Sequence, residues 1–98
     1  MNLKTLKILL AEYFKTKPVL RAWIFGSFSR GEENENSDID ILVDLDHSHK
    51  IGLEFFGMFE ELRLLLGRPI DFVTTNSLAP FAKSEVNKDK ILVYERGL

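Results

Sequence analysis

Residues 38–46 read Asp-Ile-Asp-Ile-Leu-Val-Asp-Leu-Asp, with Ile39, Ile41, Val43 and Leu45 on one parity and Asp38, Asp40, Asp44 and Asp46 on the other. A period of two is the period of an extended strand, so this run predicts a β-strand with one apolar face and one face of carboxylates. Alone, such a pattern describes the wet face of an edge strand. What lies upstream points to chemistry instead.

Ala22-Trp23-Ile24-Phe25 is an aromatic and β-branched run halted by Gly26, which reads as a buried strand entering a tight turn. Gly26 has no Cβ, so a phosphate can come close to the backbone there. Ser27 adds a hydroxyl, and a helical turn over Phe28 to Gly31 would aim its first amides at the same anion. Two carboxylates on one strand face repel each other unless a cation lies between them, and Mg²⁺ favours a few carboxylates together with phosphate oxygens. A third carboxylate is available at Asp71, in the short β-rich run Arg68-Pro69-Ile70-Asp71-Phe72-Val73-Thr74. If that strand lies beside the first, the three Asp side chains converge.

The ordered set Gly26-Ser27, Arg30-Gly31, Ser37-Asp38-Ile39-Asp40 and the later Asp71 strand closely resembles the DNA polymerase beta-like nucleotidyltransferase superfamily. Within it, the segment order is similar to that of the minimal nucleotidyltransferase (MNT) proteins of MNT/HEPN toxin-antitoxin modules. The resemblance runs from about Arg21 to Tyr94. It implies an α/β (α+β) fold with a small mixed β-sheet packed by helices. It also implies Mg²⁺-dependent transfer of AMP from ATP to a hydroxyl, with release of pyrophosphate. By motif position, Gly26 and Ser27 would hold the β and γ phosphates, Asp38 and Asp40 would bind two Mg²⁺ ions, and Asp71 would share the metal nearest the acceptor. Ser37 and Arg30 fall in the nucleotide-binding part of the motif, Arg30 either touching phosphate or bracing the turn. Two metals about 3.5 to 4 Å apart would activate the attacking hydroxyl and neutralise the leaving pyrophosphate. Asp71 is the candidate to orient or deprotonate the acceptor. The implied partner is a HEPN-domain toxin, and the implied role of the chain is that of an antitoxin.

Composition restricts these readings without choosing among them. Ninety-eight residues are expected to form one domain over 1–98 with a single modest core. There is no cysteine, so disulfides, thiolate zinc sites and a cysteine nucleophile are excluded, and a reducing, cytoplasmic setting is the expectation. No apolar run approaches the length of a membrane span and no cleavable signal opens the chain. A net charge of -2 argues against a dedicated nucleic-acid binder, which would carry a basic face. With no second helical domain in the sequence to select an acceptor, a partner protein is the expected source of the hydroxyl.

The remaining elements follow from periodicity. Leu3, Leu6, Leu10, Tyr13 and Phe14 mark an amphipathic first helix ended by Lys17-Pro18. Phe55, Phe59, Leu62 and Leu66 recur at helical spacing before Gly67, a candidate C-terminal cap. Asn76 or Ser77 is expected to cap a short helix reaching about Val86, and Ile91-Leu92-Val93-Tyr94 reads as a last strand. Trp23 and the Phe55, Phe56 and Phe59 group are expected in the core, any surplus exposed aromatic of that group being a candidate for a partner surface. The acidic run Glu32 to Asn36 is expected as a solvated loop, its negative charge beside a phosphate site being a puzzle. His47 and His49 lie in a further loop without other metal ligands nearby in sequence. A second functional class stays open beside the enzyme: a non-catalytic antitoxin that neutralises its partner by forming a complex.

Overall fold

A computed structural model describes residues 1–48 and 50–97, so the expectation for His49 lies outside the described residues. The first helix, α1 (Leu3–Phe14), is started by Asn2, whose Oδ1 accepts a hydrogen bond from the Thr5 amide at 2.8 Å. Its Leu6, Leu10 and Phe14 recur every four residues and are fully buried. The chain then runs through β1 (Val19–Phe25), a single helical turn α2 (Ser27–Arg30) and β2 (Ile39–Leu45). After α3 (Gly52–Leu66) follow β3 (Ile70–Thr74), α4 (Pro80–Asp89) and β4 (Ile91–Glu95). As expected, Gly67 ends α3 in the left-handed conformation, its amide donating to Arg63 O at 3.0 Å.

The four strands form one sheet in the order β3-β2-β1-β4. β1 pairs antiparallel with both β2 and β4, while β2 and β3 run parallel with α3 as their crossover. The mixed sheet packed by helices matches the expectation from the sequence. Ile24, Ile39, Ile41 and Val43 project from one face into a core completed by Leu6, Leu10 and Phe14 of α1 and Met58, Leu62 and Leu66 of α3. Phe55 stacks on Phe72 with centroids 4.7 Å apart, which fixes α3 against β3. Leu42 and Val86 are buried outside that cluster, consistent with Leu42 lying on the second face of the sheet.

Three expectations are corrected here. Trp23 is only half-buried and sits on the second face, paired with Leu42 and Leu92, with the Lys90 ammonium 4.6 Å from its ring centroid. Its position alternates with Ala22 and Ile24, which take the core side, so parity overrides hydrophobicity. Phe56 is 67% exposed because Phe55 and Phe59, not Phe56, fall on the stripe of α3 facing the sheet. Finally, α4 begins at Pro80 with Ala79 as its N-cap and continues to Asp89. Ser77 instead closes a turn with Thr74, accepting from its amide at 3.2 Å and donating to its carbonyl at 3.0 Å.

Candidate active site

The site forms where β1 ends and β2 begins. Gly26 has φ 74° and ψ -150°, a conformation essentially restricted to glycine. A Cβ there would lie 2.0 Å from Asp40 Oδ2, so the residue is required twice, by its backbone angles and by the carboxylate against it. Its carbonyl accepts from the Ser29 and Arg30 amides at 3.1 and 3.3 Å and from Ser29 Oγ at 2.7 Å. Those two amides are therefore turned back on the chain, which narrows the expected phosphate cradle to the start of the turn. Ser27 is half-buried there, and among the described residues its hydroxyl takes no part in the bonds that hold the turn. Gly31 closes α2 in the left-handed region, and the Glu32 amide donates to Ser27 O at 2.9 Å.

Asp40 is flanked in register by Phe25 on β1 and by Asp71 on β3. In a parallel pair, residues in register project to the same face, and neighbouring strands are about 4.8 Å apart, so the Asp40 and Asp71 carboxylates stand side by side. Asp38 precedes β2 by one residue, is exposed, and shares the parity of Asp40. Burial, then the negative charges of Asp71 and Asp38, push the Asp40 carboxyl up to about 6, partly opposed by Arg30. The strand pairing expected from sequence is present and gathers these charges. Complete convergence is not: among the described residues, no three His, Cys, Asp or Glu side chains form a ready metal-ligand cluster. The donor set is nonetheless all carboxylate oxygen, with repulsion at Asp40 only partly offset by Arg30, chemistry that suits a hard divalent cation.

Arg30 pairs with Glu32 (Nε–Oε1 2.7 Å) and with Asp89 on α4 (Nη1–Oδ2 2.8 Å). Of the two roles left open by the sequence, the geometry favours bracing. The same pair accounts for part of the acidic puzzle, since the Glu32 charge is matched by Arg30. Ser37 Oγ accepts from the Asn34 amide at 2.9 Å and ties down the loop that delivers Asp38. Arg68 Nη2 donates to Asn34 O at 2.6 Å, joining the same loop to the start of β3. His47 Nε2 lies 3.3 Å from Asn76 Nδ2, away from these carboxylates in the chain's hydrogen bonding. Sequence reading missed Asp89, because it fell beyond the expected end of α4, and missed Phe25 as the third member of the Asp40 row. The spacing of Ala82, Val86 and Asp89, three and four residues apart, is the signal that marks the inner face of α4.

Residues 6–93 match the family described as Nucleotidyltransferase domain. The chain belongs to the nucleotidyltransferase family. This nucleotidyltransferase domain is 35% identical over 89 residues to a candidate protein adenylyltransferase of Methanocaldococcus jannaschii, covering 89% of this chain and 86% of that protein. It is 39% identical over 70 residues to protein adenylyltransferase MntA of Thermococcus cleftensis, covering 71% and 70% of the two chains. Among solved structures, a candidate minimal nucleotidyltransferase superposes with TM-score 0.77 at 31% identity, over 93% of this chain and 95% of that one. The same fold recurs, at 22% identity and TM-score 0.73, in a toxin-antitoxin complex with AMP-PNP, over 97% and 76% of the chains. It recurs again, at 19% identity and TM-score 0.64, in a tri-AMPylated Shewanella oneidensis HEPN toxin bound to an MNT antitoxin, over 95% and 71%. Among the described residues, no helix is long and apolar enough to cross a membrane.

Proposed function

We propose that this chain is a Mg²⁺-dependent protein adenylyltransferase that moves AMP from ATP to a hydroxyl of a HEPN-type toxin and so acts as its antitoxin. The observation that carries this reading is the register of Asp40 against Asp71 beside Gly26, which sets two carboxylates and a close-approach turn in one place. In the proposed reaction the acceptor oxygen bonds to the α-phosphorus of ATP. The bond from that phosphorus to the bridging oxygen breaks, and pyrophosphate leaves. Asp71 orients the hydroxyl and accepts its proton, while Gly26 and Ser27 receive the β and γ phosphates. Asp38 and Asp40, with Asp71, would hold Mg²⁺, whose charge lowers the hydroxyl pKa and neutralises the triphosphate when bound. Arg30 and Ser37 act on the turn and loop that present these groups. The naming of relatives as protein adenylyltransferases, and the AMPylated HEPN toxin bound to a chain of the same fold, support the choice of acceptor.

Incubating the chain with its HEPN-type partner, ATP and Mg²⁺ and taking intact masses tests the proposal. The partner should gain one or more AMP units, and Asp38→Asn, Asp40→Asn and Asp71→Asn should each abolish the gain while circular dichroism stays native. If the partner is neutralised with unchanged mass, equally well by the Asp variants, the chain is a binding antitoxin and the catalytic proposal fails.

A further inference from the structure

The sheet ends on β4 beyond β1 and on β3 on the side of Asp71. Along β3 the direction of the backbone groups alternates. The Ile39 amide donates to Pro69 O at 3.1 Å and the Thr75 amide to Val43 O at 2.9 Å, so Pro69, Asp71, Val73 and Thr75 turn their backbone groups towards β2. Ile70, Phe72 and Thr74 turn theirs outward. At Thr74 the chain itself satisfies them: the amide donates to Ser77 Oγ at 3.2 Å, and the carbonyl accepts from Ser77 Oγ at 3.0 Å and from the Ser77 amide at 3.1 Å. Among the described residues, no hydrogen bond takes up the outward groups of Ile70 and Phe72. The edge is thus sealed at one end and left unpaired at the two positions that flank Asp71.

We propose that β3 receives the acceptor as an extended segment of the partner protein, paired to Ile70 and Phe72 so that the hydroxyl-bearing residue lies in register with Asp71; the proposal rests on the nucleotidyl-transfer reading above and assigns the conformation in which its acceptor binds. Register carries it. Asp40 and Asp71 are in register on neighbouring strands and so project side by side from one face. One strand further, at the same spacing of about 4.8 Å, an in-register residue projects from that face beside Asp71. An unpaired edge is a template for such a strand. A helix laid along it could not pair with Ile70 and Phe72, because its own amides and carbonyls are bonded internally. The opposite edge strand, β4, carries none of the three aspartates. Past Ile70 the β3 edge leads to a cleft of about 370 Å³ lined by Arg63, Leu64, Gly67, Arg68 and Pro69. Leu64 is 73% exposed. It offers an apolar anchor to a segment whose hydroxyl residue has an apolar neighbour about two to four positions away.

Residue-resolved amide exchange in the isotope-labelled chain, alone and with its HEPN-type partner and a nonhydrolysable ATP analogue, tests this docking mode. The Ile70 and Phe72 amides should slow about tenfold or more when the partner is added, each having gained a hydrogen bond. Those of Asp71 and Val73, already turned to β2, should change far less. Leu64→Glu, at an exposed position, should raise the KM for the partner about tenfold and leave kcat and calorimetric affinity for the analogue as in the unaltered chain. Exchange at Ile70 and Phe72 as fast with the partner as without it, when the same partner gains AMP from ATP, overturns strand docking and leaves nucleotidyl transfer standing. An unchanged KM in Leu64→Glu likewise overturns it, since the segment would then not run past Ile70. If the partner never gains AMP from ATP, the transfer reading falls and this assignment with it.

Discussion

At Gly26 a single hydrogen atom in place of a side chain decides whether the site exists. Gly26→Ala forces an L-residue into a glycine-only backbone region and sets its Cβ against Asp40 Oδ2, with an expected loss of about 1–3 kcal/mol. For a domain of this length, each kcal/mol corresponds to roughly 4–8 °C in Tm. Calorimetry should register that fall, with transfer activity lost because Asp40 must move. Asp40 itself makes stability depend on pH. Its folded-state pKa of about 6 lies above the ordinary carboxylate value, about 3.9, so the folded state holds the proton more tightly than the unfolded one. Stability from that proton is complete below about pH 4 and is lost as pH rises through 6. Asp40→Asn should therefore stabilise the chain above pH 6, by about 1 kcal/mol once screening of a half-exposed group is allowed for, and should gain nothing below pH 4. Urea titrations at pH 3.5 and 7.5 check both limbs. Mg²⁺ at pH 7.5 should stabilise the unaltered chain and have a smaller effect on Asp40→Asn; equal effects would remove Asp40 from the metal site.

Among the elements, α4 is the least secured by its own sequence. Its N-cap, Ala79, provides no side-chain hydrogen bond, although its extended backbone (φ -63°, ψ 146°) suits a capping residue. Ala79→Ser should accept a bond from the first turn and raise stability by about 1 kcal/mol, measured by urea unfolding. The helix is held from outside, by the Arg30–Asp89 ion pair, by Lys90 over Trp23 and by buried Val86. Asp89→Asn is expected to speed amide hydrogen exchange across residues 80–89 while leaving exchange in β1 and β2 unchanged. Uniform exchange would place Arg30 outside the bracing role. This is also where sequence reading was weakest. Ser77 and Asn76 are good capping residue types, but Ser77 is engaged with Thr74 in a turn, and Pro80 at the first helical position marks the true start.

Over the whole molecule, the contrast between Phe14 and Phe81 shows how burial sets the energetic weight of one residue type. Phe14 is fully buried between α1 and β4, its ring centroid 6.1 Å from that of Tyr94. Phe14→Ala is expected to cost about 3–5 kcal/mol, a large part of the roughly 5–15 kcal/mol available to a domain. Phe81→Ala should change stability by less than about 0.5 kcal/mol, as at other exposed positions. Urea midpoints of the two variants test this directly. The alternation of residues 38–46, the stripe of α1, the Gly67 stop and the Gly26-Ser27 turn were all legible in the sequence, because each follows from local periodicity or from a backbone angle only one residue type adopts. The Nucleotidyltransferase family was legible for the same reason, since its motif is a short ordered set within a few neighbouring elements. Tertiary structure alone decided the pairing of Asp40 with Asp71, the commitment of Arg30 to Asp89, the half-burial of Trp23 and the exposure of Phe56. Each depends on which strand lies beside which and on how a helix is rotated over the sheet. Those are set by packing among residues distant in sequence, such as Arg30 and Asp89, 59 positions apart, and no local period in the chain encodes them.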